Sequence, residues 1–338
     1  MRTENEEIRD HLKYLALLAR DYPSQAAAAS EIISTQALLK LPKGTEHFMS
    51  DLHGENEAFV HILNSASGVI REKVDIVLGD TIPEAARAEL ATLIYYPEEK
   101  LKLITAQGDD LKEWYRITLH RLIEVCRWAA SVYTRSKVRK ALPRDYAYII
   151  DELLHVNYDE ADKRDYYENI INTIIDIDQA PGFIIAVCGV IKRMAVDRLH
   201  IVGDIFDRGP RADIVMDALR GYHSVDIQWG NHDILWMGAA SGSRTLVATV
   251  LANSIHYNTL EVIETGYGIS LRPLSIFANE VYKDCDTHRF AVKLTGADAD
   301  QYTEKDKLLS ARMHKAITVI LFKLEGQKIL RHPEYGME

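Results

Sequence analysis

The chain has 338 residues, 47% of them hydrophobic and 27% charged, with a formal net charge of −10. That length holds one large domain or two ordinary ones, and the apolar share is enough for a core. The acidic balance excludes non-specific nucleic-acid binding, which depends on Lys and Arg neutralising phosphates, so a phosphorylated ligand must be drawn by local cations.

Residues 1–10 are charged and lack an apolar h-region, so no secretory signal is expected. Residues 5–40 read as helical, with Leu12, Leu15, Leu18 and Ala19 and then Ile32, Ile33, Leu38 and Leu39 at helical spacing. Tyr22-Pro23-Ser24 divides this run into two helices, with Ser24 as N-cap. Residues 46–50 read as a short buried strand, and 57–66 as a helix. From 71 to 166 the pattern is helical and mostly amphipathic, as at 111–133 and 146–155, punctuated by Pro83, Pro97 and Pro143. A helix over 165–178 is followed by Pro181-Gly182, read as a break, and a further helix over 184–196. The apolar stretch 183–194 is too short to span a bilayer.

Residues 198–204 form a second strand, 213–220 a helix, and 224–229 a third strand. Polar residues stand at the carboxyl ends of these strands, the edge where open α/β sheets bind ligands. Helical pattern returns from 242 to 257, gives way to a mixed segment, and closes over 311–328. Cys126, Cys188 and Cys285 are widely spaced and odd in number, which is no disulfide framework and suits a reduced cytoplasm. Cys188 lies in an apolar run and reads as core. Lys137, Arg139, Lys140 and Arg144 read as a solvated helix face.

Three segments carry chemistry. The first is Ser50-Asp51-Leu52-His53-Gly54-Glu55. Strand alternation would put Asp51 and His53 on one face, within reach of one cation. Alone the pair is a weak signal and reads more readily as a capping Asp and a surface His. The second is Gly203-Asp204-Ile205-Phe206-Asp207-Arg208-Gly209-Pro210. Asp204 falls at the end of an apolar strand, where an unpaired carboxylate is costly and a metal is the natural compensation. Arg208 offers a planar fork suited to phosphate oxygens. The bland alternative is a loop salt bridge between Asp207 and Arg208. The third is Gly230-Asn231-His232-Asp233. The Asn231 carbonyl oxygen can take a metal position, and His232 titrates in the range that suits protonation of a leaving oxygen. Asp207 could hold the other ring nitrogen of His232. Here the bland alternative is a helix start with a surface His-Asp pair.

Together these segments resemble the calcineurin-like metallophosphoesterases, whose pattern is DxH, GDxxDRG and GNH followed by an acid. The spacing of about 150 residues between Asp51 and Asp204, and the wording Trp229-Gly230-Asn231-His232-Asp233-Ile234-Leu235-Trp236, resemble more closely the class III fructose-1,6-bisphosphatases of bacteria. The resemblance runs along essentially the whole chain. It implies an α/β fold: a calcineurin-like core, a partial β-sandwich flanked by helices, with a large helical insertion. The implied division is 1–69, with the N-terminal helices and first metal-binding segment; 70–165, the insertion; and 166–338, the continuing core. Members of the family are nearly twice this length. The histidines that complete the second metal site are therefore expected beyond residue 338, since His256, His288, His314 and His332 lie in no matching context.

The resemblance further implies that Asp51 and His53 ligate one metal, Asp204 bridges, and Asn231 ligates the second. His232 would be the general acid, supported by Asp207. Arg208 would grip the phosphoryl oxygens, and Asp233 would fix the loop. The implied cofactor is a dinuclear Mn²⁺ centre, with Mg²⁺ or another divalent ion as substitute. The implied reaction is removal of the 1-phosphate from fructose 1,6-bisphosphate in gluconeogenesis. The implied partner is a small sugar bisphosphate, with no nucleic acid and no membrane, and with room for a homo-oligomer. Two alternatives stay open: another calcineurin-like phosphatase acting on phosphoproteins or dinucleoside tetraphosphates, and an inactive fragment lacking the late histidines.

Overall fold

A computed structural model describes residues 4–106, 108, 111–156, 161–294 and 296–337. Part of the expected helical run, at 107, 109–110 and 157–160, lies outside the described residues. Two helices, α1 (Glu4–Asp21) and α2 (Gln25–Leu38), precede strand β1 (Glu46–Met49). Nine helices follow among the described residues: α3 (Asn56–Ser65), α4 (Val69–Leu78), α5 (Glu84–Tyr95), α6 (Pro97–Thr105), α7 (Lys112–Ala130), α8 (Arg135–Ala141), α9 (Ala147–His155), α10 (Ala161–Asp176) and α11 (Ala180–Ala195). Strand β2 (Arg198–Val202), helix α12 (Ala212–Gly221) and strand β3 (Val225–Gln228) come next. The described chain closes with α13 (Asn231–Ala240), α14 (Arg244–His256), α15 (Arg272–Val281), α16 (Ala297–Gln301) and α17 (Glu304–Arg331).

The result is a mostly helical α/β protein with a small parallel sheet in the order β1-β2-β3. Ser24 caps α2, accepting the Ala27 N–H at 3.1 Å, as its place after Pro23 predicts. Two expectations need correction. The break expected at Pro181-Gly182 falls just before it, between Asp176 and Ala180, and Pro181 sits in the first turn of α11, where its missing N–H has no helical partner to lose. The last helix starts seven residues earlier than expected, at Glu304, because Thr303 and Asp306 form a capping box.

The chain divides into two compact units. The first comprises Met1–Gly44 and Leu111–Met194; the second comprises Thr45–Asp110 and Ala195–Glu338. In the first, α7 buries Leu119, Leu122, Ile123 and Val125, and α11 buries Phe183, Ile184 and Val187. Cys126 and Cys188 are fully buried there, and burial pushes both thiols up to about 12. No single helix among the described residues is long and apolar enough to cross a membrane.

In the second unit, β1 and β2 pair in the register Phe48–His200 and Met49–Ile201. Alternation sends Met49, Leu199 and Ile201 to one face, where Leu52, Phe59 from α3, and Val215 and Leu219 from α12 pack on them. The opposite face carries Phe48 and His200, whose rings stack at 4.5 Å, and Phe48 is 65% exposed. A separate helical cluster joins α14, α15 and α17 through Ala248, Ala252, Ala278, Met313, Ala316 and Ile317. Its small residues let the helix backbones approach closely. This cluster fixes the far end of α14, next to the sheet motifs.

Candidate active site

All three motifs follow directly on the carboxyl ends of parallel strands, and the loops are tied to each other by backbone hydrogen bonds. The Asp51 N–H donates to the Gly203 carbonyl at 3.3 Å, and the His53 N–H to the Asp204 carbonyl at 2.9 Å. The Gly209 N–H reaches the His53 carbonyl at 2.5 Å, and the Arg211 N–H the Gly54 carbonyl at 3.1 Å. Asp51, His53 and Asp204 all adopt left-handed backbone geometry, with φ of 55°, 48° and 55°. Asp51 and His53 therefore lie beyond the strand, in a turn. Their side chains meet through these left-handed conformations and not through the strand alternation the sequence suggested. Such conformations concentrate at functional sites, where the surrounding structure over-determines them.

Glycine is required where the loops touch. At Gly230 a Cβ would fall on the Asp204 carboxylate and 2.6 Å from the Asp204 backbone nitrogen. At Gly209 it would collide with the His53 carbonyl oxygen and lie 2.6 Å from the Gly54 carbonyl carbon.

Asp207 is the hub of the side chains. Its carboxylate is only 11% exposed. One oxygen, Oδ1, lies 3.4 Å from His232 Nδ1. The other, Oδ2, lies 3.5 Å from His53 Nδ1 and 3.3 Å from Arg208 Nε. The structure thus brings Asp207 to His232, the pairing expected from the sequence, and adds one that was missed: the same carboxylate faces His53. The two imidazoles stand edge to face, centroids 6.1 Å apart. Asp51 Oδ1 approaches His53 Nε2 at 3.5 Å. The loop salt bridge between Asp207 and Arg208 also exists, alongside these contacts.

The third motif is at once a strand end and a helix start. Gly230 is the N-cap of α13, and Asn231 and His232 occupy its first turn. Asp204 Oδ1 accepts the His232 N–H at 3.3 Å. Asp233 is buried at 4% exposure, and its carboxylate accepts three backbone N–H groups: Ile205 at 2.9 Å, Phe206 at 3.1 Å and Gly230 at 2.8 Å. It ties the second motif to the third, as a loop-fixing residue would. Asn231 is exposed.

The donors suit a divalent cation in chemistry: carboxylates, an imidazole and an amide oxygen at adjacent strand ends. Ligands at about 2.1 Å from one ion sit roughly 3.0–3.5 Å from each other, which matches the Asp51–His53 pair. His53 Nδ1 is buried without a hydrogen-bond partner and faces Asp207, the arrangement that orients a ligating imidazole through its second nitrogen. Among the described residues, however, no three His, Cys, Asp or Glu side chains are gathered into a cage. The assembled donors amount to a pair with neighbours.

One neighbour could not be read from sequence. Tyr257, just past α14, lies under the Arg208 guanidinium at 4.7 Å. The late histidines His256 and His314 pack together with centroids 5.1 Å apart, and His314 Nδ1 lies 3.0 Å from the Phe290 carbonyl. Burial, then His314 and Lys293, hold His256 below its ordinary pKa.

Fold and site define an α/β protein with Asp, His and Arg side chains gathered at the carboxyl ends of a parallel sheet. The sequence model of the Firmicute fructose-1,6-bisphosphatase family matches residues 13–338. The chain belongs to that family. It is 57% identical to the class 3 fructose-1,6-bisphosphatase of Clostridium acetobutylicum over 336 residues, covering 99% of this chain and 50% of that protein. It is 55% identical over 332 residues to one from Clostridium beijerinckii, covering 98% of this chain and 50% of that protein. For the Clostridium tetani protein the identity is 55% over 331 residues, with the same coverage. The chain spans about half the length of the curated relatives it matches. No solved structure matches it.

Proposed function

We propose that this chain carries the phosphate-cleaving centre of a fructose-1,6-bisphosphatase, removing the 1-phosphate to leave fructose 6-phosphate in gluconeogenesis. The observation that carries this reading is the convergence on Asp207: one shielded carboxylate addresses His53, His232 and Arg208 at the strand ends. The names of the relatives support a sugar bisphosphate over a phosphopeptide or a dinucleotide. A calcineurin-like core, built around this sheet with a helical insertion, is the architecture the motif order favours.

Asp51 and His53 would hold one divalent cation and Asn231 a second, with Asp204 shared by both; Mn²⁺ suits this mixed O/N set, and Mg²⁺ is a substitute. When bound, such ions supply an activated water and neutralise charge developing on the phosphoryl group. Arg208 directs its guanidinium to the phosphoryl oxygens. Asp207 holds Nδ1 of His232, so that Nε2 carries a proton towards the departing sugar oxygen. Asp207 also holds His53 in its ligating orientation. Arg208, 62% exposed, stands where solvent and substrate reach it. The three free cysteines support a cytoplasmic setting. A small soluble substrate fits this reading without nucleic acid or membrane, and a homo-oligomer is compatible with it.

The test is Mn²⁺-dependent phosphate release from fructose 1,6-bisphosphate. We expect Asp204→Asn to abolish it and His232→Ala to slow it about 10²–10⁴-fold, the range for general acid catalysis. Unimpaired turnover in His232→Ala would remove the acid from that position. A second reading has its own support. Among the described residues no three such donors are gathered, and the chain spans half the length of its relatives, so a centre that draws ligands from elsewhere in a longer chain is the second reading. Titration with Mn²⁺ separates the two: two bound ions favour the self-sufficient centre, one weak ion or none the dependent one.

A further inference from the structure

The segments after β2 and before α16 bring two cations to one aromatic ring, that of Tyr257 just after α14. The Arg208 guanidinium carbon lies 4.7 Å from the Tyr257 centroid, and Lys293 Nζ lies 5.1 Å from the same centroid. The two charges can be no further apart than those distances together. Lys293 is exposed and forms no ion pair among the described residues. Its backbone N–H donates to the His256 carbonyl at 2.7 Å, which holds this segment beside Tyr257. His256 Nδ1 is buried without a hydrogen-bond partner. Lys293 and His314 are among the groups that disfavour its protonation. Gathering like charges is unfavourable. Arg208 already has the Asp207 carboxylate at 3.3 Å, so the charge left for an incoming anion to meet is that of Lys293.

A sugar bisphosphate presents two phosphates separated by the sugar. Asp207, His232 and Arg208 serve one. We propose that Lys293, with Tyr257 beside it, anchors the phosphate that is not cleaved, making it the residue that sets preference for a bisphosphate over a monophosphate. This rests on the bisphosphatase reading above. Binding energy from a remote group of this kind is what positions the reacting phosphate.

The test compares the wild-type chain with Lys293→Gln and Lys293→Arg on fructose 1,6-bisphosphate and fructose 1-phosphate in the presence of Mn²⁺. The ratio of the two kcat/KM values should fall at least about tenfold in Lys293→Gln, mainly through KM, and recover in Lys293→Arg. A structural defect would depress both substrates in parallel and leave the ratio intact. Calorimetric titration with fructose 6-phosphate, which keeps only the anchored phosphate, supplies a readout independent of turnover, and Lys293→Gln should weaken it at least about fivefold. An unchanged ratio in a chain that hydrolyses the bisphosphate overturns the anchor and leaves the reaction standing. If the wild type hydrolyses no bisphosphate, the reaction falls, and fructose 6-phosphate decides the anchor alone: binding weakened in Lys293→Gln supports it, and binding unchanged or absent overturns it.

Discussion

Asp51, His53 and Asp204 occupy left-handed backbone conformations that cost an L-residue roughly 1–2 kcal/mol each. Asp and His tolerate this region better than most residues, and the loops hold them there through paired backbone bonds. Asp233 is the residue on which those loops depend most. Replacing it with Ala would leave three backbone N–H groups without their charged acceptor. We expect Asp233→Ala to lose about 3 kcal/mol in urea unfolding, with phosphate release lost as the second and third motifs part. The motif residues were legible from sequence because their types and order are tied to phosphate chemistry. The bond pattern of Asp233 was legible only as a general expectation that it fixes the loop. The approach of Asp207 to His53 was not legible, since residues 154 positions apart meet only once β1 pairs with β2.

Among the elements, β1, β2 and α12 were readable from their places beside the motif segments, β2 from its apolar run ahead of Gly203. Their observed bounds differ from the expected ones by a residue or two, as helix and strand ends commonly do. Helix α15 was not anticipated, although Leu274, Phe277, Ala278 and Val281 stand at helical spacing: the segment 258–310 was read only as mixed, and of this helix only Ala278 is fully buried. Helix α3 supplies Phe59, which is 2% exposed under the sheet with Leu199, Ile201 and Val215. Phe59→Ala should therefore cost about 3–5 kcal/mol, read as a lower urea midpoint with unchanged m-value. Because α3 starts right after the first motif, the same change should weaken Mn²⁺ binding. An unaltered midpoint would show that α3 does not support the site.

For the molecule as a whole, stability should fall in two stages on acidification. Burial depresses the pKa of His47, and burial with His314 and Lys293 depresses that of His256, from a reference of 6.5. Their unfolded forms bind protons first, so stability is full above pH 6.5 and declines below it. Asp75, depressed by hydrogen bonds from Arg87 and Arg71, and Asp213, depressed by Arg211, have a reference of 3.8. Their contribution is present above that pH and is lost as pH falls through their folded values. Urea midpoints measured from pH 8 to 3 should show both declines, and His256→Asn should flatten the first. An identical slope in that variant would place the first decline elsewhere. One sheet face, with Phe48 65% and Val202 48% exposed, stays open in the described chain, whereas parallel sheets are ordinarily covered on both faces.

What the sequence determined by itself was the order of the chemical groups and the strands they follow, because ligand types, glycines and apolar runs are local properties of the chain. It also fixed the burial of Cys188, which follows from its apolar neighbours. The tertiary structure decided what those groups face. Asp207 stands between two histidines because the sheet aligns three strand ends, and Arg208 and Lys293 share Tyr257 because the α14–α17 packing returns two distant segments to the same edge. Such encounters depend on strand register and helix packing, which no short window of sequence encodes.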